Sequence, residues 1–89
     1  MAKNDTNKTN WSLFPFEPLE EVAKVVDHGA RKYAPNDWQN VEKERYFSAA
    51  MRHLVEYKKG SKADESGYSH LAHCVCSLLF LMWHERQIL

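Results

Sequence analysis

The chain has 89 residues, with twelve basic and twelve acidic side chains and a hydrophobic content of 44%. That length allows one small domain, and the composition excludes a disordered, collagen-like or solenoid chain. A net charge of zero supplies no field to hold it on a nucleic acid polymer or an anionic membrane.

Met1 to Asn10 reads as a mobile polar tail. It has no apolar stretch of the kind a signal peptide needs, so a cytoplasmic location is expected. Residues 11–89 are expected to form a single helical domain. Within it, Trp11 to Phe16 is an aromatic-rich extended segment that Pro15 keeps out of a helix and that should pack across a helical body.

A first helix is predicted from Pro18, with Glu20 and Glu21 near the positive end of its dipole. Leu19, Val22, Ala23, Val26, Ala30 and Tyr33 make its apolar stripe. Gly29 interrupts that stripe and costs stability unless a neighbour approaches closely there. Glu20, Lys24, Asp27 and Arg31 form a charged face with two oppositely signed pairs four residues apart, the pattern of a solvated surface.

Ala34 to Asp37 ends this helix, and Trp38 to Val41 connects to the next. The second helix is predicted from about Glu42 to Lys59, with Phe47, Ala50, Leu54 and Tyr57 buried and Gly60 as its stop. A polar loop, Ser61 to Gly67, leads to a third helix from about Tyr68 to Gln87. Its longest apolar run, Cys74 to Trp83, is half of a membrane span, so no membrane association is expected. The stretch from Leu71 to Trp83 is apolar on nearly every side, which marks a helix buried on several faces. Cys74 and Cys76 point in different directions and are expected to be free thiols. No strand pattern occurs. A domain this short buries only about 60–65% of its unfolded surface. The expectation is an all-α, three-helix chain that forms a helical bundle with partner subunits, a homo-oligomer built through the third helix.

Three groups of residues carry possible chemistry. On the third helix, His70, His73, Ser77 and His84 make a polar seam on an apolar helix, and each needs a partner if buried. His70 and His73, three residues apart, suit a ligand or metal, or equally a histidine pair hydrogen-bonded to a neighbouring helix. On the second helix, Arg52, His53 and Glu56 lie where an antiparallel neighbour would meet that seam. In the loop, Asp64 and Glu65 offer oxygen ligands of the kind Mg²⁺ or Mn²⁺ takes, or simply helix caps. At the end of the first helix, Arg31, Lys32 and Tyr33 lead to Asn36 and Trp38. Cations with aromatics there suit a nucleotide, although a basic helix end with Trp38 plugging the core has the same pattern.

Together these residues resemble a known family. Leu19 to Val25, then Gly29-Ala30-Arg31-Lys32-Tyr33, Asn36 and Trp38 match the first half of the dATP/dGTP diphosphohydrolase N-terminal family of phages and bacteria. Arg45-Tyr46, Ala49, Arg52-His53-Leu54, Asp64 to Gly67 and Ser69 to His73 match its second half. The resemblance is to MazG-like proteins, and it implies all-helical oligomers that use Mg²⁺ to cut nucleoside triphosphates into monophosphate and pyrophosphate. In that signature, E-E-x-x-E on one helix precedes E-x-x-D on the next. Here Lys24 stands in the place of the third carboxylate, and His70-x-x-His73 in the place of the acidic pair.

The function implied is a metal-dependent pyrophosphohydrolase of purine nucleoside triphosphates. His53, Glu56, Asp64, Glu65, His70 and His73 would surround the metal and phosphates, with Glu56, Asp64 and Glu65 as the catalytic carboxylates. Arg31, Lys32, Tyr33, Asn36, Trp38 and Arg52 would hold the nucleotide. The alternative is a non-catalytic oligomer that sequesters a nucleotide or a nucleotide-derived signal. Either way, His53, His70 and His73 are expected in one pocket, lined by Arg52 and reached by Lys32 or Trp38. A phosphate there would use the amides at the start of the third helix.

Overall fold

The computed structural model describes residues 6–87. The first half of the expected Met1–Asn10 tail therefore lies outside the described residues, and Thr6 to Asn10 are exposed. Three α-helices carry the fold: α1 (Phe16–Lys32), α2 (Lys43–Lys58) and α3 (His70–Arg86), with short 3₁₀ turns at Trp11–Leu13 and Asp37–Asn40. Among the described residues there is no strand, only an isolated bridge between Ala63 and Ser69, and no helix is long and apolar enough to cross a membrane. The fold is all-α.

Helix α1 starts at Phe16, two residues before the expected start. Pro18 is still within the first turn, where its missing N–H removes no helical bond. The helix buries Val22 and Val25, so Val25 rather than Ala23 completes the inward stripe, while Tyr33 is 70% exposed. Both expected surface pairs form, Lys24–Glu20 at 3.7 Å and Arg31–Asp27 at 3.0 Å. The chain then turns through Asn36, whose φ of 64° lies in the left-handed region. Asparagine tolerates that conformation better than a branched residue.

Helix α2 ends in a Schellman motif. Gly60 has a φ of 104°, its N–H donates to the Tyr57 carbonyl at 3.0 Å, and the Ser61 N–H reaches back to the Glu56 carbonyl at 3.0 Å. This satisfies carbonyls that the helix end would leave unpaired. The inward face of α2 differs from the expected one. Ala50 is buried, with Tyr46, Ala49, His53 and Glu56 partly so, whereas Phe47, Leu54 and Tyr57 are exposed. Ala49 and Ala50 on the inward face let the middle of α2 approach α3. The large apolar side chains are turned outward.

One core joins Val22 and Val25 of α1 to Ala72 and Cys76 of α3, with Val26, Tyr68 and Phe80 packed against it. A second, aromatic cluster forms where Trp38 stacks on Phe80, centroids 4.4 Å apart, and meets the edge of Trp83 at 5.0 Å. The Trp38 carbonyl accepts from the Tyr46 hydroxyl at 3.1 Å and from His84 Nε2 at 3.1 Å. Both cysteines are free and buried, and burial pushes the Cys76 thiol up to about 11. One expectation fails within this chain. Trp11, Leu13 and Phe16 do not pack across the helices but remain exposed. Helix α3 leaves Leu71, Val75, Leu78, Leu79 and Met82 open in the single chain.

Candidate metal centre and nucleotide site

The histidine cluster is positioned by the α2–α3 connection. Residues Lys62 to His70 fold as a miniature hairpin: the His70 N–H donates to the Lys62 carbonyl at 2.9 Å and the Asp64 N–H to the Tyr68 carbonyl at 2.8 Å. Its tip is a tight turn in which the Gly67 N–H donates to the Asp64 carbonyl at 2.9 Å. Gly67 follows with a φ of 90°, a conformation that favours glycine. The Asp64 side chain braces the same turn, Oδ1 accepting from the Ser66 N–H at 2.9 Å. A seven-residue polar loop thereby becomes a rigid bracket that returns Asp64 to the helices.

Asp64 faces three histidines. His53 Nδ1 lies 2.9 Å from His70 Nδ1 and 4.0 Å from Asp64 Oδ2. His73 Nε2 is 3.8 Å from Asp64 Oδ1, and its ring stacks on that of His53 with centroids 4.7 Å apart. Two serines complete the set: Ser61 Oγ is 3.1 Å from His70 Nε2, and Ser66 Oγ is 2.9 Å from His73 Nε2. Among the described residues, no buried side-chain nitrogen or oxygen lacks a partner.

The electrostatics follow from this crowding. Burial holds the His53 imidazole below its ordinary value, reinforced by the His73 charge, with Asp64 opposing. Burial likewise lowers His73, again against the pull of Asp64. Burial pushes the Asp64 carboxyl up, but the Ser66 amide, the His73 charge, the Ser66 hydroxyl and the His53 charge outweigh it, leaving the carboxyl below its usual range. The centre thus sets an ionised carboxylate beside the His53 and His73 imidazoles, which favour their neutral, lone-pair-bearing form.

The site residues expected from sequence divide sharply. His53, Asp64 and His70 bring one donor atom each within 4.8 Å of one another, and His73 lies alongside. Glu56 does not join them. Its carboxylate faces Lys59 at 3.4 Å, the neighbour one helical turn on. Glu65 is exposed at the outer corner of the turn. The anticipated catalytic trio of carboxylates therefore reduces to Asp64. Arg52 is also exposed and donates to Ser48 at 2.8 Å, while its charge still bears on His53.

The expected nucleotide grip is dispersed too. Arg31 is paired with Asp27, Lys32 lies over the Tyr33 ring at 5.4 Å, and Asn36 serves the turn. Trp38 is held in the aromatic cluster near Phe80, about 10 Å along α3 from His73 at 1.5 Å per residue. Half-buried, it packs against Phe80 and Trp83 rather than against the histidines. At the start of α3 two of the first amides are already engaged: the Ser69 hydroxyl accepts from the Ala72 N–H at 3.0 Å, and the His70 N–H donates to the Lys62 carbonyl.

Sequence reasoning missed Ser61, and it missed His28, which meets Tyr68 with ring centroids 5.7 Å apart. Ser61 follows a glycine helix stop, and nothing in its local pattern marks it as facing a histidine nine residues later.

A small all-α chain with an imidazole-rich polar centre beside a helix-joining turn defines the class. It belongs to the dATP/dGTP diphosphohydrolase N-terminal family, whose model matches residues 1–88. A relative named dATP/dGTP diphosphohydrolase, from Salmonella phage PMBT28, is 38% identical over 82 residues, 91% of this chain. The chain spans only 28% of that relative's length. No solved structure matches it.

Proposed function

We propose that this chain is a nucleotide pyrophosphohydrolase module that handles purine deoxynucleoside triphosphates at the His53–Asp64–His70 centre with a divalent ion. The observation that carries the reading is the convergence of these three donors, with His73 beside them. The name of the phage relative supports the substrate class. When bound, the ion would neutralise phosphate charge and favour attack of water at phosphorus. His73, favouring its neutral form and oriented by an Nε2–H bond to Ser66 Oγ, would take the proton from that water at Nδ1. Water oxygen would bond to the α-phosphorus as the bond to the β-bridging oxygen breaks, releasing monophosphate and pyrophosphate.

One observation favours a second reading, capture without hydrolysis. Asp64 is the single carboxylate at the centre, and one of its oxygens is occupied by the Ser66 amide. Incubation with dGTP or dATP and a divalent ion separates the two. Pyrophosphate release supports the hydrolase, and recovery of intact bound nucleotide supports the binder. His70→Ala and His73→Ala should abolish whichever is seen while helical content by circular dichroism stays near that of the parent. Loss of structure in both variants, with no nucleotide bound by the parent, would make the histidines core groups and end the proposal.

The same proposal includes a homo-oligomer. The outward apolar residues of α2, Phe47, Met51, Leu54 and Val55, and the open stripe on α3 are the faces on which a second copy would complete the core.

A further inference from the structure

The family resemblance implies Mg²⁺, and the donors in this chain do not suit it. Mg²⁺ requires near-octahedral oxygen ligands and keeps several waters, so it is held by carboxylates and phosphates. Two of the three donors here are imidazole nitrogens. We propose that His53, Asp64 and His70 form a site for an imidazole-preferring transition-metal ion of the zinc, cobalt and nickel class. This rests on the reading that the centre holds a divalent ion, and it does not require that nucleotide be hydrolysed.

The distances carry it. Metal–nitrogen bonds to histidine are about 2.0–2.1 Å, so two nitrogens sharing an ion lie roughly 2.8–3.4 Å apart for angles between right and tetrahedral. His53 Nδ1 and His70 Nδ1 are 2.9 Å apart, at the right-angle end of that span. Asp64 Oδ2 is 4.0 Å from His53 Nδ1, so a bound ion would draw the carboxylate inward by roughly 0.6 Å to reach the tetrahedral spacing.

The outer contacts assign the individual atoms. With its Nε2–H donating to Ser61 Oγ at 3.1 Å, His70 presents the lone pair of Nδ1 to the centre, as ligating histidines do when an outer partner fixes the tautomer. Asp64 Oδ1 is spent on the Ser66 amide, so Oδ2 is the oxygen left for the ion. Without metal, the two Nδ1 atoms can approach this closely only by sharing one proton between them. A metal ion takes the place of that proton.

The test uses the untagged full chain, stripped with a chelator and confirmed folded by circular dichroism. Titration with Co²⁺ should give visible d–d absorption that saturates and is displaced by Zn²⁺, while millimolar Mg²⁺ leaves the spectrum unchanged. Calorimetry with Zn²⁺ should show Asp64→Asn and His70→Ala binding about 100-fold more weakly, with Ser61→Ala losing about 10-fold. Glu65→Gln, outside the centre, should bind as the parent does. Asp64→Asn preserves shape, so a folding failure of His70→Ala does not remove the test.

A Co²⁺ spectrum that Mg²⁺ abolishes, equal affinity for Mg²⁺ and Zn²⁺, or unchanged Zn²⁺ binding in folded Asp64→Asn would overturn the inference. Tight Zn²⁺ binding without pyrophosphate release or nucleotide capture would leave the inference standing and sink the functional reading. Mg²⁺-supported release with no Co²⁺ or Zn²⁺ binding would do the reverse.

Discussion

Replacing Gly29 by alanine tests whether the isolated chain is the right frame for α1. Gly29 lies within the helix, and a Cβ built there meets nothing within 4 Å. The substitution therefore adds no clash and removes backbone freedom from the unfolded chain. Glycine in a helix costs about 0.5–1 kcal/mol relative to alanine. For a domain of this size each kcal/mol moves the melting temperature by about 4–8 °C, so Gly29→Ala should melt roughly 2–8 °C higher. Differential scanning calorimetry at two protein concentrations reads this directly, and the gain should be the same at both. A lower melting temperature, or a smaller oligomer by light scattering, would refute the reasoning. Either would mean that another chain lies against Gly29 and uses the missing side chain for close approach.

Other outcomes are expected. Leu54→Glu and Leu78→Glu, both on outward apolar faces, should lower the solution mass from that of an oligomer while the monomer stays helical, and a monomeric parent at micromolar concentration would end the oligomer proposal. Trp38→Ala should lower stability through loss of aromatic packing, by less than the roughly 3–5 kcal/mol of a fully buried aromatic because Trp38 is half-buried, whereas Trp38→Phe should retain parental nucleotide binding; a large affinity loss in folded Trp38→Phe would show a ligand role. Ser69→Ala should lower stability by about 0.5–2 kcal/mol, measured by urea denaturation, because it removes the cap of α3. The Cys76 thiol, raised from 9.0 to about 11 by burial, should resist alkylation in the native state at pH 8. Its contribution to stability is full below the unfolded thiol's value and is lost as pH rises toward 11; rapid native labelling at Cys76 would contradict that burial.

The helices were readable because their signals are local. Pro18, the Lys58-Lys59-Gly60 stop and the polar run from Ser61 to Gly67 each act within a turn or two, and the resulting bounds differ from the structure by one or two residues. Burial was less readable. Phe47, Leu54 and Tyr57 were expected inside on hydrophobicity, yet helix–helix approach selected the small face of Ala49 and Ala50. Hydrophobicity says that a side chain avoids water but not which chain covers it. At the centre, His53, His70 and His73 were expected together because their spacing and an antiparallel pairing sufficed to meet. Arg52 and Glu56 share the helix turn of His53, and Glu65 the loop of Asp64, but shared position does not fix where each side chain turns. A helical turn is enough to give Glu56 to Lys59, and one corner of a tight turn is enough to send Glu65 into solvent. Trp38 was open to two readings, and only the position of Phe80 and Trp83 decides between them.

The bracket between α2 and α3 has a consequence for how the centre comes into being. His53, Ser61, Asp64, Ser66, His70 and His73 all fall within residues 53–73, one helical hairpin with its connector. Few residues must be looped out to bring them together, so the entropy of assembling the donors is small and their meeting is fast. Helix α1 contributes apolar cover and His28 at the margin, but no member of the donor set. The centre is therefore a local object, assembled at the same stage as the hairpin itself, while the rest of the chain serves as its lid and anchor. Changes in α1 or in the aromatic segment before it therefore act on the centre through stability, and at His28 through its charge beside His73, without altering the arrangement of the hairpin's own side chains.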